Sequence, residues 1–540
     1  MRPLRLLLVG TLVAAGPLGA QRPGDGVARA VRGDVVRAHM EFLASDVLEG
    51  RGTGTRGGEI AAKYIAAQFE RLGLEPAGDS GSWFQHVPLT GRRYTSSLAS
   101  AGGSALDVGT DFVAYLPGSD DSANAKGDVV FVGYGIVAPE EGWDDYRGVD
   151  VTGKVVLALA GAPGDRDSTV FRHPARSDYG LRQYKIDEAA RHGAQAAFVI
   201  YRAPYTAPWS AIADAWLGEQ LVLSTGSPAQ SSVRVGGWIN EPAAKRLFEQ
   251  AGEDLEKLAT TARHPGFTPV PLHLGLTASA QSRRRNVPTV NVVGRLPGRR
   301  RPGEAVLLGA HYDHLGIGRV IDGDSIYNGA LDNASGTAGM LAIAEAVVRA
   351  GAKPDRSLFF VAFGAEEAGL LGSAAFVAQP PLPLKKLSAM LNLDGVNLLA
   401  DTRDISALGA DLSSLGPVVQ TAARAEGYAI TPKDSPILRE AVEQGFFSRS
   451  DQASFARAGV PVAFLFFGDR IGAGPPGAGK ERLDDYLQHR YHQPSDDLRQ
   501  AFDYGAAARS LRVFARTLLA VAVAAQPARW NKDSPYQRAP

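Results

Sequence analysis

Apolar runs too continuous to alternate punctuate the second half of the chain, and helical spacing fills the gaps between them. AVLLGAH (305–311), SLFFVAFG (357–364), AMLNLD (389–394) and VPVAFLFF (460–467) read as strands buried on both faces. SGTAGMLAIAEAVVRA (335–350), LLGSAAFVA (370–378) and LSSLGPVVQTAARAEG (412–427) read as the intervening helices. Strands alternating with helices predict an α/β fold, a mostly parallel central sheet with helices on both faces.

The earlier chain follows other rhythms. Residues 34–48 and 59–72 have amphipathic helical spacing, and the glycine-rich turn EGRGTGT (49–55) lies between them. Residues 82–89 read as a short strand. From about 118 to 266, short runs (129–136, 154–161, 196–203, 233–239) alternate with turns and with helical stretches at 184–192 and 241–251. This predicts a separate β-rich α+β module. A strand is expected over 286–296, with the basic triplets 283–285 and 299–301 as solvated loops beside it. The apolar 504–525 segment is interrupted by Arg509, Arg512 and Arg516, so a packed terminal helix is expected rather than a membrane anchor. The expected divisions are a signal segment 1–20, an N-terminal part 21–117, the module 118–266, a catalytic part 267–525 and a polar tail 526–540.

Composition narrows the chemistry. At 540 residues, two or more cores are expected. Lys+Arg and Asp+Glu balance at 57 each, so charge gives no reason to expect nucleic acid or an anionic membrane as partner. There is no cysteine. That excludes disulfides, thiolate metal sites and cysteine nucleophiles, and leaves imidazoles and carboxylates as metal ligands. At the N-terminus, Arg2 and Arg5 precede the apolar run 6–15, and small residues close at Ala20. This order is that of a secretory signal, which predicts export to a periplasm or the medium.

Ligands of open α/β sheets bind beyond the carboxyl ends of the strands. His311 ends one strand, Glu366 and Glu367 follow another, and Asp394 ends a third. Asp313, two residues from His311, faces the same side of an extended chain and is expected to accept the ring N–H. His314 is expected to support the site rather than to ligate. Asp332 opens the 335–350 helix, and its two oxygens suit a bridge between two metals. Of Glu366 and Glu367, one suits a ligand and the other faces water as a base. His492 follows in YHQPSDD (491–497), where Asp496 suits an orienting role and His489 competes as ligand. Borderline imidazole with hard carboxylate suits zinc, with cobalt or manganese as alternatives.

The motifs HYDHLG, GALDNASGTA, FGAEEAGLLGS, LNLDGV and YHQPSDD resemble those of the M28 family of dizinc peptidases, in wording and in spacing. The resemblance implies one zinc on His311 and Asp394, the other on Glu367 and His492, and Asp332 shared by both. It implies Glu366 as general base, Asp313 as support for His311, and a cis peptide at Asp332–Asn333. Residues 43–76 resemble the N-terminal region of multidomain members, and the 118–266 module resembles an inserted protease-associated (PA) domain. The implied activity is that of an exopeptidase, foremost an aminopeptidase, acting on peptides through a metal-bridging hydroxide. A glutamate-type carboxypeptidase, a glutaminyl cyclase with one zinc, and a receptor that has lost its metal are the alternatives on this fold. Arg449-Ser450-Asp451-Gln452 resembles the segment lining the substrate cleft, except that many members have His where this chain has Gln452.

Overall fold

The computed structural model describes residues 24–100, 105–163, 178–202, 208–224 and 231–537. The expected signal segment lies outside the described residues.

Four parallel strands form the centre, in the spatial order Val462–Phe466, Leu387–Asn392, Arg301–His311, Arg356–Phe363. Antiparallel strands flank them, Asp404–Leu408 on one side and the end of Val270–Leu296 on the other. The continuous apolar runs are explained by burial on both faces. Val306, Leu308 and Ala310 join one core cluster, while Ala305 and Leu307 join another on the opposite face. Leu358, Phe360 and Ala362 alternate with Phe359, Val361 and Phe363 in the same way. Successive side chains of a strand point to opposite faces, so a strand covered twice needs no polar position.

The helices covering the first face include Gly33–Leu43, Arg56–Arg71, Ser335–Arg349 and Tyr504–Val523. Every residue from Ser335 to Val347 is buried, because this helix is enclosed by neighbours all round rather than along one stripe. Arg56–Arg71 starts where Thr55 Oγ1 accepts from Gly58 N, and it buries Ala61, Ala62, Ile65, Ala66 and Phe69. Tyr504–Val523 starts on Asp503, which accepts from Ala506 N at 2.8 Å, and packs into the core. Among the described residues no helix is long and apolar enough to cross a membrane.

The expected short strand at 82–89 is a long one, Phe84–Ser100, and the expected strand at 286–296 is the end of a 27-residue strand, Val270–Leu296. The two pair antiparallel from Phe84↔Val292 to Ser100↔Leu276. Arg283-Arg284-Arg285, expected in a loop, lies inside this ribbon opposite Arg93, Arg92 and Gly91. Beyond it the same sheet, of sixteen strands among the described residues, continues through Ser122–Phe131, Val155–Leu159, Ala196–Tyr201 and Val235–Asn240, ending at Phe112–Tyr115. Two further apolar clusters cover this part, and they draw in Leu98, Leu106, Phe112 and residues from Leu272 to Ala280 as well as residues from within 118–266.

Candidate metal centre

The glycine-rich passage before the Ser335–Arg349 helix is a turn built to face the strand ends. Gly329 has φ +57, and a Cβ there would collide with the carbonyl of Asp332. Asp332 N and Leu331 N each donate at 3.0 Å to the carboxylate of Asp496, which also accepts from Tyr486 Oη at 3.1 Å and from Gln500 Nε2 at 2.8 Å. The role open to Asp496 therefore falls on the Asp332 turn rather than on the ring of His492. Asn333, fully buried, donates to Leu393 O at 2.9 Å and accepts from Gly336 N at 2.8 Å. It ties the turn to the strand end that carries Asp394. The Asp332–Asn333 peptide is cis.

His311, Asp332, Glu366, Glu367, Asp394 and His492 converge. Donor atoms of His311, Asp332 and Glu367 lie within 4.8 Å of one another, as do those of His311, Glu366 and Asp394. Asp332 Oδ1 is 3.3 Å from His311 Nε2, and its Oδ2 is 3.3 Å from His492 Nε2. His311 Nε2 is also 3.3 Å from Asp394 Oδ1, and His492 Nε2 is 3.2 Å from Glu367 Oε2. The two oxygens of one carboxylate thus face two different imidazoles, each with a further carboxylate of its own. Glu366 follows Ala365, held at φ +59, and His492 itself has φ +57, so both are aimed by left-handed residues that are not glycine.

Supporting groups surround these. Asp313 differs from expectation: its carboxylate is 3.8 Å from His311 Nδ1, and the ring meets the carbonyl oxygen of Asp313 at 3.2 Å instead. The carboxylate is taken up elsewhere, accepting from Glu366 N at 3.1 Å, Glu367 N at 3.4 Å and Thr53 Oγ1 at 2.8 Å. His314 Nδ1 lies 2.7 Å from Glu367 Oε1 and orients that carboxylate. His489 is turned away, exposed and bonded to Asp485. Gln452 is fully buried, accepting from Asn392 Nδ2 at 2.7 Å and donating to Phe447 O at 2.7 Å, so it faces the core. Asp451, beside it, is fully buried too, and burial pushes its carboxyl up to about 7.

The electrostatics are those of an anionic pocket. Burial works against a charged His311, yet Glu366 and Asp394 outweigh it and hold the ring well above the ordinary imidazole range. Burial likewise opposes charge on His492, but Glu367 and Asp332 push it up to about 10. Burial, reinforced by Glu367, Asp394 and Asp451 and opposed by His311, raises Glu366 well above an ordinary carboxylic acid. The pocket draws positive charge, which a divalent cation supplies more fully than protons do.

The donors fit zinc. They are imidazole nitrogens and carboxylate oxygens only, the set that zinc accepts in the absence of thiolate. His492 Nε2 is buried without a hydrogen-bond partner although two carboxylate oxygens stand near it. Ligands bound to zinc at about 2.0–2.1 Å stand about 3.3 Å apart in a tetrahedral shell, matching these separations better than hydrogen bonds do.

Fold and donors define an α/β protein with a buried imidazole–carboxylate centre, suited to divalent metal, at the C-terminal edge of its parallel strands. The profile of peptidase family M28 matches residues 291–518, the part of the chain that carries this centre. The leupeptin-inactivating enzyme 1 of Streptomyces exfoliatus is 32% identical over 180 residues, covering 31% of this chain and 33% of that protein. An aminopeptidase of Pseudomonas aeruginosa is 34% identical over 195 residues, 34% of this chain and 32% of the relative. The matched stretches thus span about a third of these relatives. The aminopeptidase from Aneurinibacillus sp. strain AM-1 has the same fold, with a TM-score of 0.50 at 20% identity over 94% of this chain and 96% of that one.

Proposed function

We propose that this chain is a zinc-dependent exopeptidase acting as an aminopeptidase, with one zinc on His311 and Asp394, a second on Glu367 and His492, and Asp332 shared between them. The observation that carries the reading is the pair of 3.3 Å separations by which the two oxygens of Asp332 face His311 and His492. Bound zinc would supply Lewis acidity, polarising the scissile carbonyl and lowering the pKa of water toward about 7.

The protein's own residues do the rest. Glu366, fixed through its backbone N–H to Asp313, takes a proton from the attacking water and returns it to the departing amine. A base in this role works best with a raised pKa, and burial among carboxylates favours that. His314 and Asp496 keep Glu367 and Asp332 aimed, so little reorganisation is needed when peptide arrives. Leu221 and Leu223, from the body formed within 118–266, cluster with Ala365, Ala368 and Leu371, which flank Glu366 and Glu367 along the chain. We assign that body, the expected PA-like module, to bounding the cleft, which would restrict access to chain ends. We also propose that the N-terminal segment 1–20 directs export.

The aminopeptidase reading draws on the resemblance to an aminopeptidase of Pseudomonas aeruginosa and on the M28 match over residues 291–518. Hydrolysis of peptides with a free amine, compared with the same peptides blocked at the N-terminus, tests it. Release of N-terminal residues from the free-amine set alone is the expected result. Cleavage of blocked peptides from the C-terminus would replace the aminopeptidase with a carboxypeptidase.

A further inference from the structure

The loop 48–55 lies far outside the matched residues 291–518, yet it is bonded both to the segment that follows His311 and to the turn that precedes Asp332. Arg51, fully buried, donates to Tyr312 O at 2.7 Å, Asn328 O at 2.6 Å, Gly329 O at 3.0 Å and also to Leu43 O. A side chain at Gly50 would run into the carbonyls of Tyr327 and Gly316. These contacts fasten the loop. Thr53 does something narrower, since its hydroxyl donates to Asp313 Oδ2 at 2.8 Å.

Asp313 is almost wholly buried, and its carboxylate is the point where three segments meet. It accepts from the backbone of Glu366 and of Glu367, and its own carbonyl meets the ring of His311. Of its hydrogen-bond donors, Thr53 supplies the side chain and the backbone of the glutamates supplies the others.

We infer that Thr53 is a positioning residue for the metal centre, holding the Asp313 carboxylate so that Glu366, Glu367 and His311 keep their mutual geometry. The N-terminal segment then contributes to the site as well as to the core. The inference rests on the metal reading of the site given above. Groups that orient ligands from behind are worth about 10–100-fold in metal affinity or activity.

Thr55 provides a control two residues away. It caps the following helix, accepting from Gly58 N at 3.3 Å and donating to Gly52 O at 2.7 Å. The experiment compares the full-length chain with Thr53→Val, Thr53→Ser and Thr55→Val. Zinc affinity is read by competition with a chromophoric chelator, and peptide hydrolysis is read separately as kcat and KM. Thr53→Val keeps the shape and loses the donor, so zinc affinity should fall about 10–100-fold and kcat should fall with KM little changed. Thr53→Ser should restore both. Thr55→Val should lower thermal stability without moving zinc affinity. Wild-type zinc affinity in Thr53→Val, or an equal loss in Thr53→Ser or Thr55→Val, would overturn the inference. If the wild type binds zinc but hydrolyses no peptide, the functional reading falls while the affinity comparison still decides the role of Thr53. A wild type that binds no zinc would overturn both.

Discussion

Glu366 and Glu367 show how much a single position decides. They are neighbours of one type, yet Glu367 faces His492 and His314 while Glu366 stands with His311 and Asp394. Glu366→Gln should keep zinc and lose about 10²–10⁴-fold in kcat, measured by metal analysis beside steady-state kinetics. Near-normal turnover would remove Glu366 as the proton carrier. His311, Asp332, the glutamates and Asp394 were legible in the sequence because strand ends and one glycine-rich turn place them. The work of Asp313, Asp496 and Asn333 was not, since spacing cannot say which atom of a side chain meets which backbone group. Far from the centre, burial pushes the Asp145 carboxyl up to about 7, against hydrogen bonds from Ile136 N and Trp143 Nε1. Its unfolded value is about 3.9, so the folded state binds this proton more tightly. The stability that this supplies is fully present below about pH 4 and is lost as pH rises through about 7. Asp145→Asn should flatten that part of the profile, read as unfolding free energy against pH; an unchanged slope would contradict the assignment.

At the scale of elements, the ribbon and the buried helix make opposite cases. The strands Phe84–Ser100 and Val270–Leu296 leave much of their middle exposed. Residues 283–286 are exposed in succession, which interrupts the alternating burial of Leu272, Leu274, Leu276, Ala278 and Ala280, so Arg283-Arg284-Arg285 read as loop. The charges are absorbed at the surface, Arg285 by a bidentate pair with Glu219 and Arg284 by Asp121. Arg285→Ala should cost less than about 1 kcal/mol in urea unfolding, as exposed pairs do. The Ser335–Arg349 helix was legible because its apolar run is too long for a strand and is followed by Gly351. Leu341, 1% exposed there, should cost about 2–5 kcal/mol when changed to Ala. Similar losses from the two variants would mean that the ribbon carries more of the fold than its exposure implies.

Across the whole molecule one hydrogen-bonded sheet runs from the parallel centre through the ribbon into the second body. Periodicity located the strands of both parts but not their continuity, because pairing between distant segments leaves no local pattern. The site is equally non-local, drawing on the loop at Thr53, three strand-end segments, the turn at Asp332 and the loop at His492. Such an assembly should be held together by what it binds, since a ligand of the native state stabilises it by mass action. Chelation should therefore lower the thermal midpoint and abolish peptide hydrolysis, with zinc restoring both; chelator-resistant hydrolysis by metal-free protein would sink the metal mechanism. The most direct test of the shared carboxylate is the zinc content per chain of the purified protein and of Asp332→Ala, His311→Ala and His492→Ala. The account predicts two zinc ions in the wild type, one remaining in each histidine variant and neither held tightly by Asp332→Ala. A single zinc in the wild type, or two retained by Asp332→Ala, would contradict it.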